Sequence, residues 1–247
     1  MRYRSRVICT SRDITRLARL PDAELIALDT TKPFSLDFVP SESLVLHSIP
    51  PPGNSDPEAI VTALGDRPKR LVYLSTTGVY GDQRDVSELS SPAPLHERHW
   101  QRLRVEEAVL NSGISSVVLR PAAIYGPGRG IHVSMAEGRF RLVGNGSNFV
   151  SRIHVEDLAI HIERALLTDI SGAWPVADNH PCTSLEIAKY TAKLLRIPLP
   201  EQSPAEDVHY TRRADRHVDG TAIRKALNVT LQYPSYREGI PAALKFL

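Results

Sequence analysis

The stretch YLSTTGVYGD, residues 73–82, decides how this chain reads. The apolar run Leu71-Val72-Tyr73-Leu74 has the length and residue types of a buried strand. Four hydroxyl side chains follow at once: Ser75, Thr76, Thr77 and Tyr80. A strand that ends in hydroxyls either satisfies its own loose carbonyls or presents half of a binding site. Position alone leaves both readings open.

Working outward, short strands alternate with longer helices. Arg6 to Thr10, Glu24 to Leu28, Leu44 to Ile49, Leu71 to Ser75, Ser116 to Leu119 and Trp174 to Ala177 read as strands. Asp13 to Leu20, Pro57 to Leu64, His96 to Asn111 and Val155 to Leu167 read as helices, the second capped by Ser55 or Asp56. Thr183-Ser184-Leu185-Glu186 is a capping box that opens a further helix to about Leu195. This alternation predicts an α/β fold of βαβ units around a mostly parallel, doubly wound sheet. Ligands of such sheets bind beyond the carboxyl ends of the strands, where the hydroxyl cluster falls.

The chain has 247 residues, 42% of them hydrophobic and 23% charged, with a formal net charge of +2. That balance gives no nucleic-acid footprint. Cys9 and Cys182 are too few for a disulfide framework and fit a reducing compartment. No apolar run approaches the roughly 18 residues that span a bilayer. The N-terminal MRYRSRVICTSRD is basic, but its apolar stretch is only Val7-Ile8-Cys9, too short for a signal-peptide core. Cytoplasm is the default expectation, with no membrane partner.

Four segments in order carry a resemblance. YLSTTGVYGDQ resembles the Ser-Ser-x-x-Val-Tyr-Gly segment of extended short-chain dehydrogenases/reductases, the NAD-dependent epimerase/dehydratase group. VVLRPAAIYGPGRG (residues 117–130), SRIHVEDLA (151–159) and DGTAIRKAL with YPSYREGI (219–227 and 233–240) are similar to later segments of that family. The resemblance implies one Rossmann-like NAD(P)-binding domain. Its cofactor part would span about 1–130 and 150–180, with a small substrate lobe at about 131–149 and 181–247. It also implies an oxidoreductase-type reaction on a hydroxyl or carbonyl of a small polar substrate such as a nucleotide sugar, and a homodimer through helices including 96–111.

Carried onto this sequence, the resemblance makes Thr76 the residue that orients the substrate oxygen, and places Ser75 and Pro121 beside the cofactor. The family's Tyr-x-x-x-Lys pair falls on Arg98 and Arg102. Arginine stays protonated, so it cannot act as a base, although Arg102 keeps the means to hold a ribose and Arg98 to hold a substrate anion. Tyr80 and His99 are the candidates for the missing proton relay; each reads equally as an ordinary residue, Tyr80 packed under the loop and His99 exposed on its helix. Arg213, with Arg212 and Arg216, matches basic residues that bind substrate phosphates in relatives, or is part of a solvated charge cluster.

No Gly-x-x-Gly-x-x-Gly spacing occurs. RYRSRVICTSRD resembles the family's second strand, so the chain reads as N-terminally truncated, with two interior strand edges bared. Ser11 and Arg12 would then lie at the adenosine ribose, where a basic residue favours NADP over NAD. Asp29 resembles an adenine-contacting position, or caps its strand. Weak or no dinucleotide binding is expected, which sustains a second reading as a non-catalytic binding protein. His96-x-x-His99 has no completing ligands, and no metal is expected. The His154-Val-x-Asp157 segment reads as docking its helix against the sheet.

Overall fold

The computed structural model describes residues 6–17, 20, 22–51, 56–209 and 213–246. β1 (Val7–Ser11) and β2 (Ala23–Ala27) come first, then β3 (Ser43–His47), α1 (Ala59–Leu64) and β4 (Pro68–Leu74). A 3-10 turn at Thr77–Tyr80 leads to β5 (Asp85–Val86) and the long helix α2 (Glu97–Leu110). β6 (Ser116–Pro121), β7 (Ala123–Tyr125), α3 (Ile131–Ala136), β8 (Leu142–Val143), β9 (Phe149–Val150) and β10 (Arg152–His154) follow. After these come α4 (Val155–Leu166), β11 (Ala173–Val176), β12 (Cys182–Thr183) and α5 (Ser184–Leu195). β13 (Gln202–Ser203), β14 (His217–Val218), α6 (Thr221–Leu227) and α7 (Tyr236–Leu244) complete the order.

The central sheet has the order β11-β6-β4-β3, and every neighbouring pair is parallel. Successive side chains of a strand point to opposite faces, and β4 shows why both faces need cover. Leu71 and Tyr73 pack with Ile60 and Leu64 of α1 and Val105 and Val109 of α2. Val72, one residue out of phase, packs with Leu158 and Ala165 of α4 and Ile223 and Leu227 of α6. Helices on both faces of a parallel sheet make the fold Rossmann-like and doubly wound, as the alternation of elements predicts.

β1 and β2 form a separate parallel pair. No ladder joins β1 to β3 among the described residues. The outward side chains of β3, Leu44 and Leu46, are 46% and 40% exposed.

Local chemistry altered several expected elements. In place of a helix from Asp13 there is a single 3-10 turn, Ile14–Leu17. Asp13 Oδ1 accepts from the Thr15 N–H and the Thr15 hydroxyl, and such a side chain competes with helical hydrogen bonding. Before α1, Asp56 accepts from the Glu58 N–H; Ser55 lies outside the described residues. At α5, Thr183 Oγ1 accepts from the Glu186 N–H at 3.1 Å, as a capping box requires. The Glu186 carboxylate does not reach back. It accepts from the Tyr236 hydroxyl at 2.7 Å and from Arg237 at 3.0 Å, tying α5 to α7.

Candidate functional site

The site grows from the carboxyl ends of two neighbouring strands. Leu74 of β4 is in register with Leu119 of β6, and the Ser75 N–H donates to the Leu119 carbonyl at 2.8 Å. Ser75-Thr76 is thereby brought beside Arg120-Pro121. Thr76 is in extended conformation, and its hydroxyl oxygen caps the 3-10 turn by accepting from the Gly78 N–H. Gly78 itself lies against α2: a Cβ there would stand 2.4 Å from His99 Nε2. That contact explains the glycine and fixes the turn on the helix.

The three charged residues spaced four apart on α2 lie on one face and descend into the protein. Arg98 is exposed, Arg102 is half-buried and Glu106 is 1% exposed. Arg102 Nη1 donates to the Leu74 carbonyl at 3.1 Å, which pins its guanidinium at the strand end. Glu106 accepts from the Ser75 hydroxyl at 2.5 Å and from Arg120 Nε and Nη2, the latter at 2.5 Å. Arg120 spends its remaining nitrogen on Tyr80, donating from Nη1 to the phenol oxygen at 3.0 Å. A buried carboxylate and guanidinium are tolerated because each one's hydrogen-bonding groups are met.

This network favours the second of the two sequence readings of Tyr80, an aromatic packed under the loop. Its side chain is wholly buried and its phenol is turned to Arg120, away from the cavity. Burial above all holds that phenol above the usual tyrosine range, more than the nearby Arg120 lowers it. His99 is also not the exposed helix residue of one sequence reading. It is 8% exposed, and its pKa is pushed down to about 4, first by burial and then by the charges of Arg98, His96, Arg102 and Arg216.

A cavity of about 730 Å³ opens over these strand ends. Ser75, Thr76, Arg98, Arg102, Pro121 and Arg213 all line it. Six residues chosen from sequence, on four separate segments, thus meet at one place. Ser11, Arg12 and Asp29 do not line it; they lie at the ends of the separate β1–β2 pair. There the Ser11 hydroxyl accepts from the Asp13 N–H. Asp29 accepts from Thr31 and feels the charges of Lys32 and Arg12, and its carboxyl is held below the usual range chiefly by the Thr31 hydroxyl.

The sequence did not single out Arg129 or Asp82, which line this cavity together with Arg216 of the Arg213 cluster. Arg129 was visible in the glycine-rich run 126–130. Arg216 reaches across to the Gln83 and Gly81 carbonyls, a contact with no signal in the sequence. His47, which does not line this cavity, was not singled out either. It ends β3, stacks on Tyr73 at 4.8 Å between ring centroids, and is pushed down to about 4 by burial and the charge of Arg102.

Residues at the ends of β4 and β6 and on α2 fit the ribose end of a nicotinamide dinucleotide: hydroxyls and a pinned guanidinium around an open cavity. The phosphate end has no counterpart in a glycine-rich loop, because the spacing is absent from the sequence.

Comparison with known proteins meets this geometry. Residues 57–174, from α1 into β11, match the model of the NAD dependent epimerase/dehydratase family. Just under half of the chain therefore carries an NAD-dependent epimerase/dehydratase family segment. Human short-chain dehydrogenase/reductase family 42E member 1 is 31% identical over 171 residues, 54% of this chain and 44% of that protein, so the chain spans less than half of that relative's length. The structure of a conserved protein of unknown function from Silicibacter pomeroyi aligns at TM-score 0.81 and 29% identity, over 97% of this chain and 90% of that one. UDP-glucuronic acid 4-epimerase from Bacillus cereus, solved as a mutant with a fluorinated UDP-sugar acid and NAD, shares the fold at TM-score 0.78 and 18% identity, over 94% and 84%. Within the described residues no helix is long and apolar enough to cross a membrane, and no cluster of metal-ligating side chains occurs.

Proposed function

We propose that this chain is an oxidoreductase-type member of the epimerase/dehydratase family that works on a hydroxyl or carbonyl of a small polar substrate, a nucleotide sugar being the leading class. One observation carries the reading: Ser75, Thr76, Arg98, Arg102, Pro121 and Arg213 converge on one cavity at the carboxyl ends of parallel strands. In this reading Thr76 presents its hydroxyl to the substrate oxygen, while Arg102 holds a ribose. Arg98 and Arg213 hold the substrate's negative charge. Bound NAD or NADP would supply the hydride chemistry; the Arg12 position favours NADP. The UDP-sugar bound to the Bacillus cereus neighbour supports the substrate class.

The burial of Tyr80 favours a second reading, a protein that binds the same ligands without turnover. With the relay tyrosine turned to Arg120 and arginine at both positions of the family pair, the cavity keeps its grip and lacks an evident proton donor. A homodimer through α2 belongs to either reading; half-exposed Trp100 on that helix supports it.

The experiment is to incubate the protein with NAD or NADP and UDP-glucose or UDP-glucuronic acid, following reduced cofactor and isomerised sugar. Turnover that falls at least about 10-fold in Thr76→Val supports the enzyme reading. Cofactor and sugar binding without product supports the second. Absence of both binding and product contradicts both.

A further inference from the structure

The wall charges of the cavity are far out of balance. Among the described residues that line it, five are arginines, Arg98, Arg102, Arg129, Arg213 and Arg216, and only Asp82 is a carboxylate. Guanidinium groups at such density repel one another unless something negative stands among them.

Three of the five have assigned tasks. Arg216 donates to the Gln83 and Gly81 carbonyls. Arg213 donates to the Val208 and Glu206 carbonyls, which holds its own loop. Arg102 spends one N–H on Leu74. Carbonyls orient these groups and leave their charge in place. The side chains of Arg98 and Arg129 make no hydrogen bond or ion pair to any described residue, and Arg129 is tied in only through its backbone, to Gly126. Yet they come from different elements, α2 and the glycine-rich run before α3, and face one cavity.

The backbone adds to the same sign. Arg98 sits in the first turn of α2, a helix of 14 residues whose N-cap, His96, makes no side-chain capping bond. Helix N-termini carry partial positive charge and unpaired N–H groups. His99 lies beside these groups, with its pKa pushed down to about 4 chiefly by burial and then by the charges of Arg98, His96, Arg102 and Arg216.

We propose that Arg98 and Arg129 are a paired grip for an oxyanion group on the ligand, a phosphate or a carboxylate, and that this grip stands where the family's proton-transfer tyrosine would act. The site therefore selects ligands with a multivalent anion next to the Thr76 hydroxyl. Guanidinium groups suit this because each offers two parallel N–H donors to two oxygens of one group. The inference deepens the proposed function by defining the substrate's charge, and it rests on the reading of this cavity as the ligand site. It does not depend on a dinucleotide being bound.

The test is calorimetric titration of the whole chain with inorganic pyrophosphate, and separately with malonate, at low and at physiological salt. The variants are Arg98→Gln, Arg129→Gln and the double variant. Lys189→Gln, on the exposed side of α5, removes a charge outside the cavity. The expected result is saturable binding of one equivalent of at least one probe, weakened at least 10-fold in the double variant and unchanged in Lys189→Gln. The probe bound more tightly distinguishes a phosphate from a carboxylate site. Absence of saturable binding to both probes overturns the proposal, and so does an equal loss in Lys189→Gln. An NADH titration on the same samples separates the two ideas. Anion binding without NADH binding upholds the grip and contradicts the dinucleotide reading. NADH binding without anion binding overturns the grip alone.

Discussion

Glu106 and Arg120 meet as a buried ion pair, Oε2 to Nη2 at 2.5 Å, with side chains 1% and 7% exposed. The pair stands directly beneath the cavity and carries Ser75 on one side and Tyr80 on the other. Its value is in holding the floor of the site. Removing one partner strands a buried charge. Glu106→Gln is expected to cost about 3–5 kcal/mol, read as a lower urea midpoint with unchanged slope. Replacing both partners with Met at once is expected to recover a large part of that loss.

Tyr80→Phe separates structure from chemistry. The variant leaves Arg120 Nη1 with no phenol oxygen to meet, a loss of about 1–3 kcal/mol in stability. Ligand affinity and any turnover per folded molecule stay within about 2-fold of the parent. A proton relay through Tyr80 would instead lower turnover by roughly 100-fold or more, with stability little changed.

Acid should remove the stability contributed by the buried neutral histidines, against an opposite contribution from Asp178, whose carboxyl is raised to about 7 chiefly by burial. His47 titrates near 4 in the folded chain against an ordinary value of 6.5, so below 6.5 the unfolded chain takes up a proton that the folded chain refuses. The His47 contribution is fully present above about pH 6.5 and is lost as pH drops towards 4. The limiting loss is of order 3 kcal/mol for His47, from 1.36 kcal/mol per pH unit. His99 acts in the same direction over the same window. Chemical denaturation of the parent and His47→Asn at pH 7 and pH 4.5 isolates this contribution: the parent should lose more stability, or gain less, than the variant between the two pH values.

Gly78→Ala places a methyl where His99 now lies. The imidazole must shift, and with it the turn that carries Thr76 and the first turn of α2. The expected outcome is a loss of about 1–3 kcal/mol in stability together with weaker ligand binding. A variant of parent stability and affinity would show that the His99 contact does not hold the turn.

Much of this was legible in the sequence. The run Leu71–Leu74 is buried on both faces, so it reads as a central parallel strand without any knowledge of its partners. Arg98, Arg102 and Glu106 fall on one face by helical spacing alone. What spacing cannot supply is depth along that face. Only packing shows that Arg98 meets solvent while Glu106 lies beneath Ser75. Tyr80 stays open in the sequence for the same reason: a tyrosine after a strand is equally at home in the cavity or under the loop, and its partner, Arg120, comes forty residues later. The expected helix from Asp13 gives way to a short turn because a side chain satisfies the backbone locally.

The central claim is that the hydroxyl end of β4 and the arginine face of α2 together hold a nicotinamide ribose and its substrate. The most direct measurement is the fluorescence titration of NADH and NADPH against the parent and Arg102→Met, with thermal midpoints recorded beside the affinities. The account predicts saturable binding by the parent and at least a 10-fold loss in Arg102→Met at near-parental stability. Equal affinity in the two proteins would contradict it.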